Sequence, residues 1–133
     1  MEQARILVID DDDDVREILT TRLRRAGLDV MTASNGAAGL EAVGKFNPSC
    51  VLLDLMMPHM DGFDFLAALR AKHQLTLPVY VVTQRDDIDQ SILHRLGAQG
   101  LITKTQALER NFAQQFSAEI GRPRHSDPLP AAA

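Results

Sequence analysis

Cysteine is nearly absent from this chain of 133 residues, and no apolar stretch in it is long. The single cysteine, Cys50, cannot form a disulfide within the chain, and its position inside the apolar run CVLLDL is typical of a small core side chain. A membrane helix needs about 20 apolar residues in succession, and we find neither such a segment nor the apolar core of a signal peptide. We therefore expect a soluble cytoplasmic protein that makes no membrane contacts.

An excess of positive charge is also missing. The chain has 14 Lys and Arg against 18 Asp and Glu, and its net charge of −4 gives no indication of direct nucleic acid binding. It contains neither a P-loop nor a G-x-G-x-x-G segment, which argues against a nucleotide-binding domain. With 45% hydrophobic and 24% charged residues, the composition is that of an ordinary globular domain.

Two hydrophobic patterns alternate along the chain. Five short runs are continuously apolar and rich in β-branched residues, as expected for strands that are buried on both faces of a parallel sheet. These predicted strands are Ile6–Ile9, Val30–Ala33, Cys50–Leu53, Val79–Val82 and Gly100–Thr103.

Apolar residues at helical spacing follow each predicted strand. Five strands alternating with five helices predict an α/β fold, a doubly wound five-stranded parallel sheet. Residues 1–121 form the predicted domain, and residues 122–133, with three of the six prolines and no helical pattern, are predicted to be a disordered tail or linker. The predicted helical stripes are Val15, Ile18, Leu19, Leu23 and Ala26; Ala37, Leu40 and Val43; Phe63, Leu66 and Leu69; Ile88, Ile92 or Leu93, and Leu96; and Leu108, Phe112 and Phe116, ending near Gly121.

Polar residues with distinct chemistry stand where the predicted strands end. Asp10 and Asp11 follow the first strand, Asp54 the third, Thr83 the fourth and Lys104 the fifth. The carboxyl ends of parallel strands meet at one edge of the sheet, which is where such folds bind ligands. Three carboxylates there would form an all-oxygen cluster suited to Mg²⁺, and this ion would explain why like charges are gathered together.

The run of five aspartates continues beyond the predicted cluster. Asp12, Asp13 and Asp14 lie at the predicted start of the first helix. Side-chain oxygens at that position accept hydrogen bonds from free N–H groups, and negative charge is favourable at the positive end of the helix dipole. We therefore expect these three aspartates to be structural.

Four segments of the chain resemble the receiver domain of two-component response regulators. They are ILVIDDDDDVREIL, VLLDLMMPHMDGFDFL, PVYVVT and GAQGLITK, in the family's order and separations, and the resemblance covers roughly residues 4–120. It implies a flavodoxin-like (βα)5 fold with strand order 2-1-3-4-5. It also implies a signalling domain that takes part in a phosphorelay and is not an enzyme toward other substrates.

The resemblance implies roles for individual residues. Asp54 matches the aspartate that takes a phosphoryl group from a phosphohistidine of a sensor kinase or a histidine phosphotransfer protein. Asp11, with Asp10 partly through water, matches the acidic pair that binds Mg²⁺ together with Asp54, and the backbone carbonyl of Met56 matches a further metal ligand.

Further roles concern the phosphoryl group and the output of the signal. Thr83 matches the hydroxyl residue that hydrogen-bonds a phosphoryl oxygen, and Lys104 matches the lysine that pairs with it. The face formed by the fourth helix, fifth strand and fifth helix, including Leu93, Leu101 and residues near Leu108, is expected to bind a downstream protein target or output domain. A homodimer through the fourth and fifth helices is also open.

The chain departs from the family pattern at three positions. Thr105 follows Lys104 where proline is usual, often after a cis bond, and Leu101 stands where an aromatic residue is usual. Gln84 is larger than the small residue usually found after the threonine. Met56 cannot orient a hydrolytic water as an amide or carboxylate could, which predicts a long-lived phosphoryl group.

Two alternatives stay open at this stage. Thr105 and Leu101 favour a pseudo-receiver, a scaffold that binds partners without being switched by phosphorylation. A phosphatase with an aspartate nucleophile is disfavoured, because that class needs a small hydroxyl residue or valine four residues after its first aspartate, where this chain has Asp14.

Overall fold

A computed structural model describes residues 3–72, 76–85 and 87–120 of the chain. Every predicted strand is confirmed to within one residue at each end, because short apolar runs bounded by polar residues leave little freedom in placing a buried strand. The elements are β1 (Arg5–Ile9), α1 (Asp13–Arg25), β2 (Asp29–Ala33), α2 (Gly36–Phe46), β3 (Cys50–Asp54), α3 (Gly62–Ala71), β4 (Val79–Thr83), α4 (Gln90–Arg95), β5 (Gly100–Thr103), α5 (Lys104–Ala107) and α6 (Phe112–Ile120).

The five strands form one parallel sheet in the order β2-β1-β3-β4-β5, as the family resemblance implies. Their register aligns the carboxyl ends. Ile9 pairs with Leu53, so Asp10 and Asp54 are the next residues on neighbouring strands. Thr83 pairs with Thr103 on the last strand pair of the sheet. The polar residues expected at the strand ends are thereby brought to one edge.

Two apolar clusters lie on opposite faces of the sheet. On one face α2, α3 and α4 pack on the central strands, and Phe65 and Leu66 from α3 are fully buried there. On the other face α1 and α6 supply Leu23 and Phe116, and Phe116 meets the Tyr80 ring edge-on at 5.2 Å between centroids. Each fully buried side chain of this size stabilises the fold by about 1.5 to 3 kcal/mol, so these layers hold the sheet edge in place.

Several predicted core positions are exposed instead. Ile18 on α1 and Met31 on β2 are each 38% exposed, and Ala37 at the start of α2 is also exposed. Because β2 and β5 lie at the two edges of the sheet, the helices do not cover them fully, and the expectation of burial on both faces is wrong for these two strands. Of the two alternatives on α4, Leu93 is buried and Ile92 is 46% exposed.

The fifth predicted helix is in fact two helices. α5 begins directly after β5 and ends at Ala107, and α6 begins at Phe112. The guanidinium of Arg22 on α1 donates a hydrogen bond to the Leu108 carbonyl, and the Phe112 amide donates instead to the Glu109 carbonyl at 3.1 Å. A continuous helix would join the Leu108 carbonyl to the Phe112 amide, so this long-range contact accompanies the break.

The predicted tail, residues 122–133, lies outside the described residues, and the domain boundary at residue 121 stays a prediction. In the part of the chain that the structure describes, no helix has the length and apolar character required to cross a membrane.

Candidate functional site

Four neighbouring strands deliver the polar residues of the site. Asp10 follows β1, Asp54 ends β3, Thr83 ends β4 and Lys104 follows β5. Asp10, Asp54 and Thr83 are the buried polar side chains of the described core, at 2%, 3% and 0% exposure, whereas Asp11 is exposed. The site therefore has a buried floor with one carboxylate at its rim.

Three carboxylates meet at this edge. Asp10, Asp11 and Asp54 each offer an oxygen, and these oxygens lie within 4.8 Å of one another. Backbone amides orient two of them, since the Asp12 N–H donates to Asp10 Oδ1 at 2.9 Å and the Met56 N–H donates to Asp54 Oδ1 at 3.2 Å. The second oxygens of Asp10 and Asp54 both lie near the Lys104 ammonium.

Lys104 provides the positive charge that the structure places at the site. Its Nζ lies 3.1 Å from Asp10 Oδ2 and 3.6 Å from Asp54 Oδ2, and its side chain is only 12% exposed. Burial disfavours the charged ammonium, but the attraction and hydrogen bonds of Asp10 and Asp54 outweigh burial and raise the pKa of Lys104. Lys104 is therefore a fixed cation held between two strand ends.

One cation does not balance the carboxylates. Burial and, after it, the charge of Asp10 raise the pKa of Asp54 to about 7, although Lys104 and the Met56 N–H oppose the rise. A carboxyl group with such a pKa takes up a proton at neutral pH in the absence of another cation. The site thus has capacity for more positive charge than Lys104 supplies.

The donor set fits Mg²⁺. Hard oxygen ligands from one to three carboxylates, with further positions left to water or phosphate, are the usual environment of this ion. Asp10, Asp11 and Asp54 supply such oxygens, and the unbalanced charge on the cluster favours a divalent cation. Participation of the Met56 backbone carbonyl stays a prediction.

Thr83 and the loop after it form the side of the site beside β5. The Thr83 hydroxyl oxygen accepts a hydrogen bond from the Arg85 N–H at 3.1 Å, which leaves its own hydrogen for donation. Gln84 is exposed, and the Arg85 guanidinium pairs with Asp87 at 2.8 Å.

The rest of the aspartate run is structural, as expected. Asp12 is the N-cap of α1 and accepts hydrogen bonds from the N–H groups of Asp14 and Val15. Asp13 forms an ion pair with Arg16. The five aspartates of the run are therefore divided between the carboxylate cluster, which contains Asp10 and Asp11, and the start of α1.

Two residues that hold the site were missed at the sequence level. Arg16 donates a hydrogen bond to the Asp10 carbonyl at 2.6 Å, and only its i+3 spacing from Asp13 gave any signal. Gly62 lies against the end of β3, where a Cβ atom would come within 2.8 Å of Leu55 Cα and 3.0 Å of the Asp54 carbonyl oxygen. The sequence Asp61-Gly62 is typical of a turn, but it does not reveal this close approach.

The expected output face is corrected in one position. Leu93 is 2% exposed and belongs to the core, so Ile92 is the apolar side chain that α4 presents to solvent. Leu101 is half-buried and packs on the core, and Leu108 is half-buried between α5 and α6.

No peptide bond in the described ranges is cis, and Lys104–Thr105 is therefore a trans bond within α5.

Comparison with protein families gives a match to the response regulator receiver domain over residues 6–114. Among curated proteins, response regulator MprA of Mycobacterium sp. (strain KMS) is 37% identical over 112 residues, which are 84% of this chain and 48% of that protein. The alkaline phosphatase synthesis transcriptional regulatory protein PhoP of Bacillus subtilis is 35% identical over 101 residues, 75% of this chain and 42% of that protein. The chain thus spans less than half the length of either relative.

Solved structures show the same architecture. Chemotaxis protein CheY4 of Vibrio cholerae superposes with a TM-score of 0.81 at 25% identity, covering 90% of this chain and 99% of that one.

Proposed function

This chain belongs to the response regulator receiver domain family, and on that premise we propose that Asp54 accepts a phosphoryl group from a phosphohistidine of a sensor kinase or phosphotransfer protein. The observation that carries the proposal is the environment of Asp54. Its carboxylate is buried, has oxygens of Asp10 and Asp11 within 4.8 Å and lies 3.6 Å from the Lys104 ammonium.

The reaction is an in-line displacement at phosphorus. An Asp54 carboxylate oxygen forms the new P–O bond as the P–N bond of the partner's phosphohistidine breaks. The electron pair of that bond stays on the imidazole nitrogen, which takes up a proton. Asp54 must be ionised to attack, and its pKa of about 7 means that a cation beside it increases the reactive fraction at neutral pH.

Asp10, Asp11 and Asp54 would hold Mg²⁺, with the Met56 carbonyl as a further ligand. When bound, this ion supplies positive charge beside the oxygens of the transferring phosphoryl group. The backbone contacts of Asp10 and Asp54 keep their carboxylates in place beforehand, so little reorganisation is needed when a phosphodonor arrives.

Lys104 and Thr83 are proposed to bind the phosphoryl oxygens. The Lys104 ammonium is already beside Asp54, so it needs only a small movement to pair with a phosphoryl oxygen on that residue. Thr83 ends β4, the strand that lies between β3 and β5, and its hydroxyl hydrogen would be donated to a second oxygen. These contacts would stabilise one of two nearby conformations and so shift the population of β4, α4 and β5.

The output of that shift would be a changed protein-binding surface. The face formed by α4, β5 and the fifth predicted helix, which is α5 and α6 in the structure, carries the exposed Ile92 and is proposed to meet a downstream target or an output domain. The chain would act in the cytoplasm as a phosphoprotein of a phosphorelay. Its chemistry would be limited to its own phosphorylation and slow dephosphorylation, so it would not be an enzyme toward other substrates.

A phosphorylation-independent scaffold receives no support from the site. Its sequence-level basis was the pair Thr105 and Leu101, and neither residue disrupts the described cluster. Lys104 keeps its place beside Asp54 without a proline after it. The scaffold would be favoured only if the folded protein failed to accept a phosphoryl group.

The test is intact-mass spectrometry after incubation with Mg²⁺ and acetyl phosphate. We expect wild-type protein to gain one phosphoryl group, Asp54→Asn to gain none, and chelation of the metal to block the gain. Asp64→Asn, which changes an exposed aspartate in the first turn of α3, is the matched control and should react like wild type. If folded wild-type protein gains no phosphoryl group from this donor or from phosphorylated kinases, the phosphoacceptor role is wrong and the scaffold is favoured.

A further inference from the structure

The chain passes from β5 into α5 without an intervening loop. Thr103 is both the last residue of β5 and the N-cap of α5, and Lys104 is the first helical residue. The direction in which the Lys104 side chain leaves the backbone is therefore set by the first turn of a helix of only four residues. Helices much shorter than about 12 residues are unstable on their own, so this turn depends on its terminal contacts.

A reciprocal pair of hydrogen bonds closes that turn. The Gln106 N–H donates to the Thr103 hydroxyl oxygen at 3.0 Å, and the Thr103 N–H donates to Gln106 Oε1, also at 3.0 Å. The sequence TKTQ matches the capping-box pattern, in which each end residue satisfies an amide of the other. Lys104 lies between the two residues and within the closed turn.

The opposite end of α5 is also held. Ala107 is 1% exposed, and the Leu108 carbonyl accepts a hydrogen bond from the Arg22 guanidinium of α1. At the end nearest the site, the pairing of Thr103 with Thr83 holds the strand, and the capping box holds the turn that follows it. Lys104 then spans the short distance to Asp10 and Asp54.

We propose that Gln106 is a positioning residue for Lys104, acting through the capping box that it forms with Thr103. Gln106 is exposed and touches none of the carboxylates, so its effect on the site would pass through the backbone of Lys104. The consequence for phosphoryl transfer rests on the proposed function of Lys104. The consequence for the ion pairs of Lys104 with Asp10 and Asp54 is independent of that proposed function.

This arrangement gives a physical role to the departure at Thr105. A proline there would disfavour the helical backbone conformation of Lys104, the residue before it. With threonine at that position Lys104 adopts the first helical position, and the capping box becomes the local device that orients it.

Chemical labelling tests the position of Lys104 without any phosphodonor or metal. The chain has three lysines, Lys45, Lys72 and Lys104, and the first two serve as exposed references within each molecule. Under limiting acetic anhydride, with peptide mass spectrometry as readout, we expect Gln106→Ala to increase acylation of Lys104 relative to Lys72 by about fivefold, the factor that corresponds to loss of a typical helix cap.

Two further variants make this result specific. Gln106→Glu keeps an acceptor oxygen at the same position of the capping box and should leave the acylation ratio within about twofold of wild type. Gln114→Ala makes the same truncation at an exposed position of α6 and should leave the ratio unchanged.

Phosphorylation and Mg²⁺ binding supply a second readout. With phosphoramidate as donor at saturating Mg²⁺, we expect Gln106→Ala to be phosphorylated about fivefold more slowly, in line with the loss of a cap, and Gln106→Glu to recover the rate. The Mg²⁺ dissociation constant from calorimetry should not rise, because Gln106 contacts no carboxylate of the cluster and a displaced Lys104 would compete less with the metal for Asp10 and Asp54. A general loss of structure would instead slow phosphorylation and also weaken Mg²⁺ binding.

The outcomes separate the two proposals. Faster acylation of Lys104 in Gln106→Ala supports the positioning role even if the wild-type protein accepts no phosphoryl group, a result that would overturn only the proposed function. Unchanged acylation of Lys104 overturns the positioning role, and so does a slower phosphorylation that is not accompanied by a change in acylation.

Discussion

The ammonium nitrogen of Lys104 lies 3.1 Å from Asp10 Oδ2, closer than to Asp54 Oδ2 at 3.6 Å. Lys104 therefore links the ends of β5 and β1 across the two strands between them. In the unphosphorylated protein, Lys104 is mainly the counter-ion of the buried Asp10 carboxylate. Phosphorylation of Asp54 would give it a stronger partner, and the same ammonium would then leave Asp10.

Removal of that counter-ion should destabilise the metal-free protein. In Lys104→Met the buried Asp10 and Asp54 carboxylates lose their shared cation, and we expect the free energy of unfolding to fall by about 2 to 4 kcal/mol. Urea denaturation in chelator at neutral pH measures the change. Lys72→Met, at an exposed position after α3, is the matched control and should differ little from wild type. Equal stabilities of the two variants would show that Lys104 does not balance the carboxylates.

The pH dependence of stability should report Asp54. Its pKa is raised to about 7 in the folded state, against about 3.9 in an unfolded chain. The folded state thus holds a proton that the unfolded state releases, and this contribution to stability, complete below pH 4, is lost as the pH rises through 7. In metal-free buffer, we expect wild type to lose about 2 to 4 kcal/mol relative to Asp54→Asn between pH 4.5 and 8.

Denaturant titrations of both proteins at four or five pH values give this difference directly. The raised pKa of Lys104 acts above its ordinary value of 10.5, outside this range of pH. A difference that stays constant with pH would mean that Asp54 is ionised throughout.

Mg²⁺ should stabilise the wild-type protein through the carboxylate cluster. At a concentration ten times its dissociation constant, a ligand that binds only the folded state adds about 1.4 kcal/mol. We expect Asp11→Asn to lose most of this increment, because Asp11 supplies one of the clustered oxygens. Asp14→Asn changes a neighbouring aspartate in the first turn of α1 and should keep it. Thermal denaturation with and without Mg²⁺ is the measurement, and equal increments in both variants would exclude Asp11 from the metal site.

Two glycine substitutions should have opposite effects. In Gly62→Ala the new Cβ would meet the backbone at Leu55 and Asp54, and we expect a loss of about 1 to 3 kcal/mol together with slower phosphorylation. In Gly44→Ala the Cβ has no neighbour within 4 Å and lies in the interior of α2, so a gain of about 0.5 to 1 kcal/mol is expected. Urea denaturation of both proteins checks the signs, and a neutral Gly62→Ala would show that the loop after β3 can move without cost.

Met56 should set the lifetime of the phosphoryl group. Its side chain is 55% exposed beside Asp54 and has no group that can hold a hydrolytic water in line. We expect Met56→Asn to shorten the lifetime by about threefold to tenfold, less than the ~100-fold of a weak general base, because an amide orients water without taking up its proton. Met56→Leu, which preserves the apolar character, should leave it unchanged. Loss of radiolabelled phosphate over time measures both, and equal lifetimes would contradict the role of Met56.

The sequence by itself determined the strands, the fold class and the order in which site residues occur. Continuous apolar runs such as Cys50–Leu53 specify buried strands because few other local structures bury such segments on both sides. Since the carboxyl ends of parallel strands share one edge, the sequence alone predicts that Asp10, Asp54 and Lys104 lie close together. The capping pattern TKTQ was also present in the sequence, although its proximity to the carboxylates was not evident from the pattern.

Only the tertiary structure decided where the last helix breaks, which apolar side chains are buried, and how the charges at the site affect one another. The break between α5 and α6 accompanies a hydrogen bond from Arg22, a residue far away in the sequence, to the Leu108 carbonyl. Exposure of Met31 follows from the place of β2 at the sheet edge, and the choice of Leu93 over Ile92 as the core residue follows from the rotation of α4. Likewise the pKa of Asp54 depends on its depth and on its distances to Asp10 and Lys104. Local patterns fix which segments form strands and helices, whereas burial and electrostatics depend on neighbours brought together from distant parts of the chain.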